Sequence, residues 1–360
     1  MPHPAGAVFS HETLDYFREL EYYINMYVCA DKNNGGHMRP FELRAPVKDY
    51  IWGGTRLRDE FGKESCLERL AESWELSCHQ DGESVIASGE YQGMTLAEFL
   101  RMCPEAAGKC CKDGEGLPVL VKLIDARENL SVQVHPDDSY ARQHEGDSGK
   151  TEMWYIVDCD EGAELIYGFR EKMSKESFRR AIEDNTLMDF VNRVPVKKGD
   201  VFFITPGTLH AIGKGILIAE IQQSSNVTYR VYDYGRLGKD GKPRELHIEK
   251  ALDVTVPDVP AYKAENHLKN ACGRELDVIR SCDYFHVLKL ECKGSYKLKQ
   301  DSNSFMHLLV IDGEGTVGYE GGNLPIRKGS SVFVPAGDEA LDIKGKCSII
   351  ITKKIQEEKT

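Results

Sequence analysis

The sequence predicts a mainly β protein of two tandem β domains, with a small helical insert in the first and a helical extension at the N-terminus. Three observations carry this. From Phe41 onward, short apolar runs alternate with glycine-rich turns, a pattern of strands and hairpins rather than of long helices. A chain of 360 residues exceeds what one ordinary core fills, so two domains are the default. One segment also recurs, KKGDVFFITPGTLHAI at 197–212 returning as RKGSSVFVPAGDEALDI at 327–343. Each copy is a turn glycine, an apolar strand, a Pro/Gly turn and a final strand.

Taken in order, residues 1–38 stand apart. HETLDYFRELEYYINMYV spaces Leu14, Phe17, Leu20 and Ile24 for one helix face behind Ser10 as N-cap, and DKNNGG at 31–36 is a turn-rich linker. This extension precedes every motif below, so a chain beginning at Met38 is expected to fold and turn over. A soluble but inactive truncation would place the extension in the site or in an essential interface.

Next come a turn at Gly53-Gly54, two strands (WELS and VIASG) around HQDGE at 79–83, a helix over 95–103, and the apolar strand LPVLVKLIDA carrying Lys122. A strand over 130–135 turns Val132 and Val134 to one face, Gln133 and His135 to the other. Pro136 and Asp137-Asp138 end it, and the polar run to Gly149 is read as a loop. TEMWYIV then resumes the β pattern with Lys150, Glu152 and Trp154 on one face. Residues 174–193 are predicted as a helical insert outside the β framework, with Ser174 as N-cap and Phe178, Ile182, Met188 and Val191 on its apolar face. After the Pro206-Gly207 turn, a short strand carries Thr208, His210 and Ile212 on one face. NVTYRVYDYGR then places Arg230 on a strand with Tyr232 and Tyr234 beside it. The expected organisation is an extension at 1–38, a metal-binding domain at 39–265 and a second domain at 266–360.

A formal charge of -12 excludes a broad nucleic-acid or anionic-membrane surface, which needs clustered Lys and Arg. A small anionic substrate needs only a few local cations and stays open. The 11 cysteines are odd in number and form no CxxC pair, which suits a reducing cytoplasm. No apolar run reaches the ~18 to 20 residues of a membrane span, and the N-terminus lacks a secretory pattern. A soluble, cytoplasmic protein is therefore expected, taken as a monomer or homodimer.

Gln133, His135, Glu152 and His210 on neighbouring strands offer two imidazoles and two oxygens to one divalent ion. By ligand type alone manganese, iron or cobalt fit as well as zinc. Lys150, two residues before Glu152, projects from the same face, and Ser131 faces the same way as Gln133. The alternative for Lys122 and Lys150 is a solvated surface lysine, and for Arg230 an ion pair at the edge of the core.

The set WGG at 52–54, AESWELS at 71–77, VQVHPDD, KTEMWYIV, PGTLHAIG and NVTYRVYDYGR resembles the type I mannose-6-phosphate isomerases of the short bacterial form, in order over about 41–355. The resemblance implies one zinc per chain on Gln133, His135, Glu152 and His210. It also implies active-site roles for Lys150, Lys122 and Arg230, and interconversion of mannose 6-phosphate and fructose 6-phosphate through an enediol(ate). Ser131 is placed to hydrogen-bond the phosphate. Roles for Tyr232, Asp233 and Arg236 stay open. The repeated segment resembles the second motif of cupins, which implies two tandem cupin (jelly-roll) β-barrels. In the second copy Ala340 takes the place of His210, and Met306 falls near the position of a ligand Glu, so that barrel is expected to be degenerate and metal-free. His307 beside it reads as structural.

The competing function is a cupin that binds a metal and a sugar without isomerising it, or an iron-dependent oxygenase. Oxygenase cupins present two or three His around iron, and the cations Lys122, Lys150 and Arg230 suit a phosphorylated ligand better than an apolar one.

Overall fold

The apolar runs resolve into three antiparallel sheets in the computed structural model, which describes residues 38–111, 116–238, 241–260 and 276–355. A six-stranded sheet runs Val201–Ile204, Glu152–Cys159, Ile216–Gln223, Val119–Ala126, Glu72–Leu76 and Val47–Lys48. A five-stranded sheet runs Tyr229–Tyr232, Val132–Val134, His210–Ala211, Glu164–Phe169 and Val191–Pro195. The remaining strands form an eight-stranded sheet from the C-terminal part of the chain, which also takes in Phe41–Arg44 and Val85–Ile86.

The six-stranded sheet is a partition between two cores. Val119–Ala126 and Ile216–Gln223 are buried at every position, so both faces are covered and the sequence reads as a nearly unbroken apolar run. Period-2 alternation then sorts the side chains. Val121, Leu123, Ala219 and Ile221 enter one core with the phenylalanines of the C-terminal region, whereas Ile124, Ile156 and Ile218 enter the other. Lys122, Trp154 and Glu220 lie on the second face by the same alternation. That face looks toward the five-stranded sheet, whose Leu165 and Tyr167 belong to the same cluster.

The first core joins the two halves of the chain. Phe333 stacks on Phe305 at 5.6 Å and on Phe41 at 5.3 Å between ring centroids, and Phe99 meets Phe41 edge-on at 5.1 Å. Such aromatic pairs add about 0.5 to 1.5 kcal/mol each beyond their area burial. Phe41–Arg44 pairs antiparallel with Ser331–Val334, Phe41 opposite Phe333. The first described strand is thus an element of the C-terminal sheet, and the simple partition into 39–265 and 266–360 cuts across it. The chain around the expected boundary at 265, like the expected N-terminal helix, lies outside the described residues.

Two local expectations are corrected. The insert helix is Lys175–Glu183, capped by Ser174 as expected, but it ends well short of residue 193. Asn185 takes φ 58, a left-handed stop, and after a turn of 3-10 helix at Leu187–Asp189 the chain enters a strand in which Val191 pairs with Phe169. Phe178 and Ile182 pack with Val132, Val134 and Val231 over the outer face of the five-stranded sheet. The run after Pro136, read as loop, holds the helix Asp138–His144, because the Asp137 carboxylate accepts the Tyr140 N–H at 2.8 Å as N-cap. Elsewhere the helix Leu96–Met102 carries a full capping box between Thr95 and Glu98. Among the described residues no helix is long and apolar enough to cross a membrane.

In the C-terminal sheet Met306 is buried and His307 is fully buried, its Nε2 2.8 Å from Ser331 Oγ, while Ala340 begins the strand Ala340–Lys353. His307 is held far down, to about 3, by burial and then by the Lys63 charge, which keeps it a neutral core residue.

Candidate metal centre and active site

Two transverse rungs of side chains face one another. In the five-stranded sheet, Gln133 stands opposite His210 on one side and Arg230 on the other. In the six-stranded sheet, Glu220 stands opposite Trp154 and Lys122, and Lys122 opposite Trp74. Glu152 opens the strand beside them, and His135 follows Val134 with only 1% of its surface exposed.

The imidazoles are oriented by backbone carbonyls. His135 Nδ1–H donates to Val227 O at 2.8 Å, and His210 Nδ1–H to Thr208 O at 2.9 Å. Each ring is thereby fixed in the tautomer whose Nε2 carries a bare lone pair. These two Nε2 atoms lie 3.1 Å apart, and His210 Nε2 is 3.2 Å and His135 Nε2 3.6 Å from the Glu152 carboxylate. The Glu152 side chain is fully buried, with Oε1 lacking any hydrogen-bond partner and Oε2 3.1 Å from the Lys150 ammonium. Two imidazole lone pairs and a buried carboxylate converging on one point fit a divalent cation. The three ligand atoms lie within 4.8 Å of one another, and this is the one His/Cys/Asp/Glu cluster of its kind among the described residues. Gln133 reaches the same point, its amide nitrogen 3.4 Å from His210 Nε2, and a flip of the amide presents Oε1 instead.

Burial sets the protonation. It pushes His210 down to about 4 and, with the Lys150 charge added, His135 well below its ordinary value, so both rings are neutral at pH 7. Burial raises Glu152 to about 7 against the pull of Lys150, whose Nζ lies 3.1 Å from Glu152 Oε2 and 3.2 Å from His135 Nε2.

Beside this cluster opens a cavity of about 300 Å³, lined by Gln133, Ser131, Lys122, Lys150, Arg230 and Arg244 among others. Lys122 is buried, not solvated: its Nζ lies 3.5 Å from Glu220, 3.6 Å from Glu72 and 4.9 Å above the Trp74 ring. Burial opposes its charge, but Glu72 and Glu220 outweigh it and hold the ammonium protonated. Glu72 accepts the Trp74 indole N–H at 2.8 Å and Glu220 that of Trp154 at 2.9 Å. Arg230 donates from Nε to Ser131 Oγ at 3.3 Å and from Nη1 to Glu245 O at 2.9 Å, and its backbone N–H donates to His247 Nδ1 at 3.1 Å. All eight residues singled out from the sequence therefore meet at one cavity and the ligand cluster beside it. Sequence reasoning gave no role to Glu72, Glu220 or Arg244. A charged residue inside the apolar run ILIAEIQQ is the signal that finds Glu220.

An antiparallel β framework with a His-Glu-His cluster over a cationic cavity defines a cupin-type protein equipped to hold a metal beside a small anion. Comparison with known proteins narrows this class. Residues 40–167 match the family described as phosphomannose isomerase type I, catalytic domain, and residues 275–354 match mannose-6-phosphate isomerase, cupin domain. A mannose-6-phosphate isomerase of Streptococcus mutans is 41% identical over 86% of this chain and 97% of its own length; ManA of Bacillus subtilis is 40% identical over 87% and 98%. The crystal structure of a Bacillus subtilis mannose 6-phosphate isomerase superposes with a TM-score of 0.80 at 39% identity, covering 88% of this chain and 99% of that one. A mannose 6-phosphate isomerase solved with zinc and yttrium shares the fold at a TM-score of 0.66 and 16% identity. The chain belongs to the type I mannose-6-phosphate isomerases and is an enzyme of that family.

Proposed function

We propose that this chain, built as two tandem cupin barrels and working in the cytoplasm, interconverts mannose 6-phosphate and fructose 6-phosphate through an enediol(ate). One zinc ion is held by Gln133, His135, Glu152 and His210. The observation that carries this reading is the pair of imidazole Nε2 atoms 3.1 Å apart beside the buried Glu152 carboxylate, at a cavity lined by Lys122, Lys150, Arg230 and Arg244. When bound, a divalent ion would polarise the adjacent carbonyl and hydroxyl oxygens of the open-chain sugar.

The chain's own residues do the rest. Arg230, permanently protonated, offsets the negative charge that develops as the proton alpha to the carbonyl leaves. Lys150 holds a proton at Nζ beside the ligand cluster, where it can stabilise or protonate a sugar oxygen. Lys122, pinned between Glu72 and Glu220, and Ser131, which accepts from Arg230, position the substrate's polar groups. The Glu and Gln that join the two His, and the cations Lys122, Lys150, Arg230 and Arg244 lining the cavity, favour this assignment over the oxygenase cupin.

The test is a coupled assay for fructose 6-phosphate. Chelation should abolish its formation from mannose 6-phosphate, and addition of zinc should restore it. A protein that takes up zinc yet forms no fructose 6-phosphate would be the non-isomerising cupin instead.

A further inference from the structure

We propose that Arg244, presented by Asp233, is the residue that recognises the substrate's phosphate, leaving Arg230 to the reacting end of the sugar. The proposal rests on the sugar-phosphate reading above. Three arginines converge here, and their hydrogen bonds divide the work. Arg236 is spent: it donates from Nε to Asp233 O, from Nη1 to Asn129 O and from Nη2 to Asp233 Oδ1. Arg230 is tied to the metal rung, opposite Gln133 in the sheet and bonded to Ser131. Arg244 is different. Its Nε and Nη2 grip Asp233 at 2.7 and 2.5 Å, while its Nη1 makes no hydrogen bond among the described residues.

The second edge of that guanidinium is therefore aimed but unemployed, on a side chain 21% exposed that lines the cavity. A carboxylate gripping one edge of a guanidinium fixes its plane, which suits bidentate recognition of a phosphomonoester dianion by the other edge. Asp233 is itself nearly buried, and although burial favours its neutral form, the Arg244 and Arg236 forks hold the carboxyl below its usual range. Arg230 is pushed down by burial and then by the Arg244 charge, which the Asp233 carboxylate offsets only in part, so the two cations lining the cavity repel one another. A dianion placed there relieves that repulsion. Arg244 follows the Leu237–Pro243 bridge in a segment whose next residue, Glu245, accepts from Arg230, so both guanidinium groups line one cavity.

Arg244→Gln should raise KM for both sugar phosphates roughly 10- to 100-fold, the cost of one lost charge-assisted contact, with a much smaller fall in kcat. The competitive inhibition constant of inorganic phosphate should rise by the same factor. Arg244→Lys, which keeps the charge but not the fork, should fall between, and it decides the matter if the glutamine variant does not fold. Inorganic phosphate should also raise the Tm of the wild-type chain and not that of Arg244→Gln, a readout independent of turnover. A wild-type chain that forms no fructose 6-phosphate refutes the isomerase reading while the phosphate-induced Tm shift still judges Arg244. The proposal is overturned if phosphate stabilises or inhibits both proteins equally, or if Arg244→Gln loses kcat at unchanged KM.

Discussion

Replacing His210 by alanine is expected to empty the metal centre and reduce turnover by more than about 10³-fold, since the ion supplies several kcal/mol of charge stabilisation in this chemistry. The geometry explains the severity. His210 Nε2 sits 3.1 Å from His135 Nε2 and 3.2 Å from Glu152, so its loss removes the donor at the centre of the set. The side chain is 1% exposed and rests edge-on against Trp154 at 5.4 Å, so the fold must be checked by Tm alongside metal content. Elemental analysis should find about one zinc per wild-type chain and almost none in His210→Ala. Two metals per wild-type chain, or full occupancy in the variant, would refute the ligand assignment.

Arg230→Ala should act on the chemical step, lowering kcat on the order of 10²- to 10³-fold, the usual cost of one preorganised electrostatic contact to a developing anion. Its place opposite Gln133 keeps the guanidinium beside the metal rung, where charge appears in the enediolate but not in the neutral sugar. Arg230→Lys restores the charge without the planar fork and should recover only part of the loss. Zinc content should be unchanged in both variants, because a guanidinium is not a ligand. A raised KM with an unchanged kcat would make Arg230 a uniform binder and would contradict the division of labour with Arg244.

What could be read in advance follows a physical line. The ligand strand was legible because the order Val132, Gln133, Val134, His135 alternates strictly, and a period of two leaves no choice of face. Lys122 was legible through the resemblance alone, since a lysine on an apolar strand is as easily read as solvated. Glu220 lies likewise in an apolar run on the neighbouring strand, but its partner became evident only once Glu220 and Lys122 stood opposite each other in the sheet. Arg244 follows a turn of glycine, lysine and proline, where no periodicity says which way a side chain points. The helix Asp138–His144 was missed because seven residues hold too few apolar positions for a helical period, although Asp137 is a residue type favoured at the N-cap. Long-range pairing was the least legible. Nothing local in FELR indicates that its partner is SVFV at the far end of the chain.

That pairing sets the order of events on the ribosome. Lys63, whose Nζ donates to Gly329 O, must wait for a partner 266 positions downstream, and Phe41 waits longer still for Phe333. At roughly 5 to 20 residues per second the delay is on the order of tens of seconds. In the last part of that interval, after the strand of Glu220 is made, one face of the nascent sheet carrying Lys122 and Glu220 still lacks Phe285, Phe305 and Phe333 from its core. An emerging chain of this kind depends on being shielded until its last strands are made, so a message cut short after the metal ligands yields a product with every ligand present and half of its core missing.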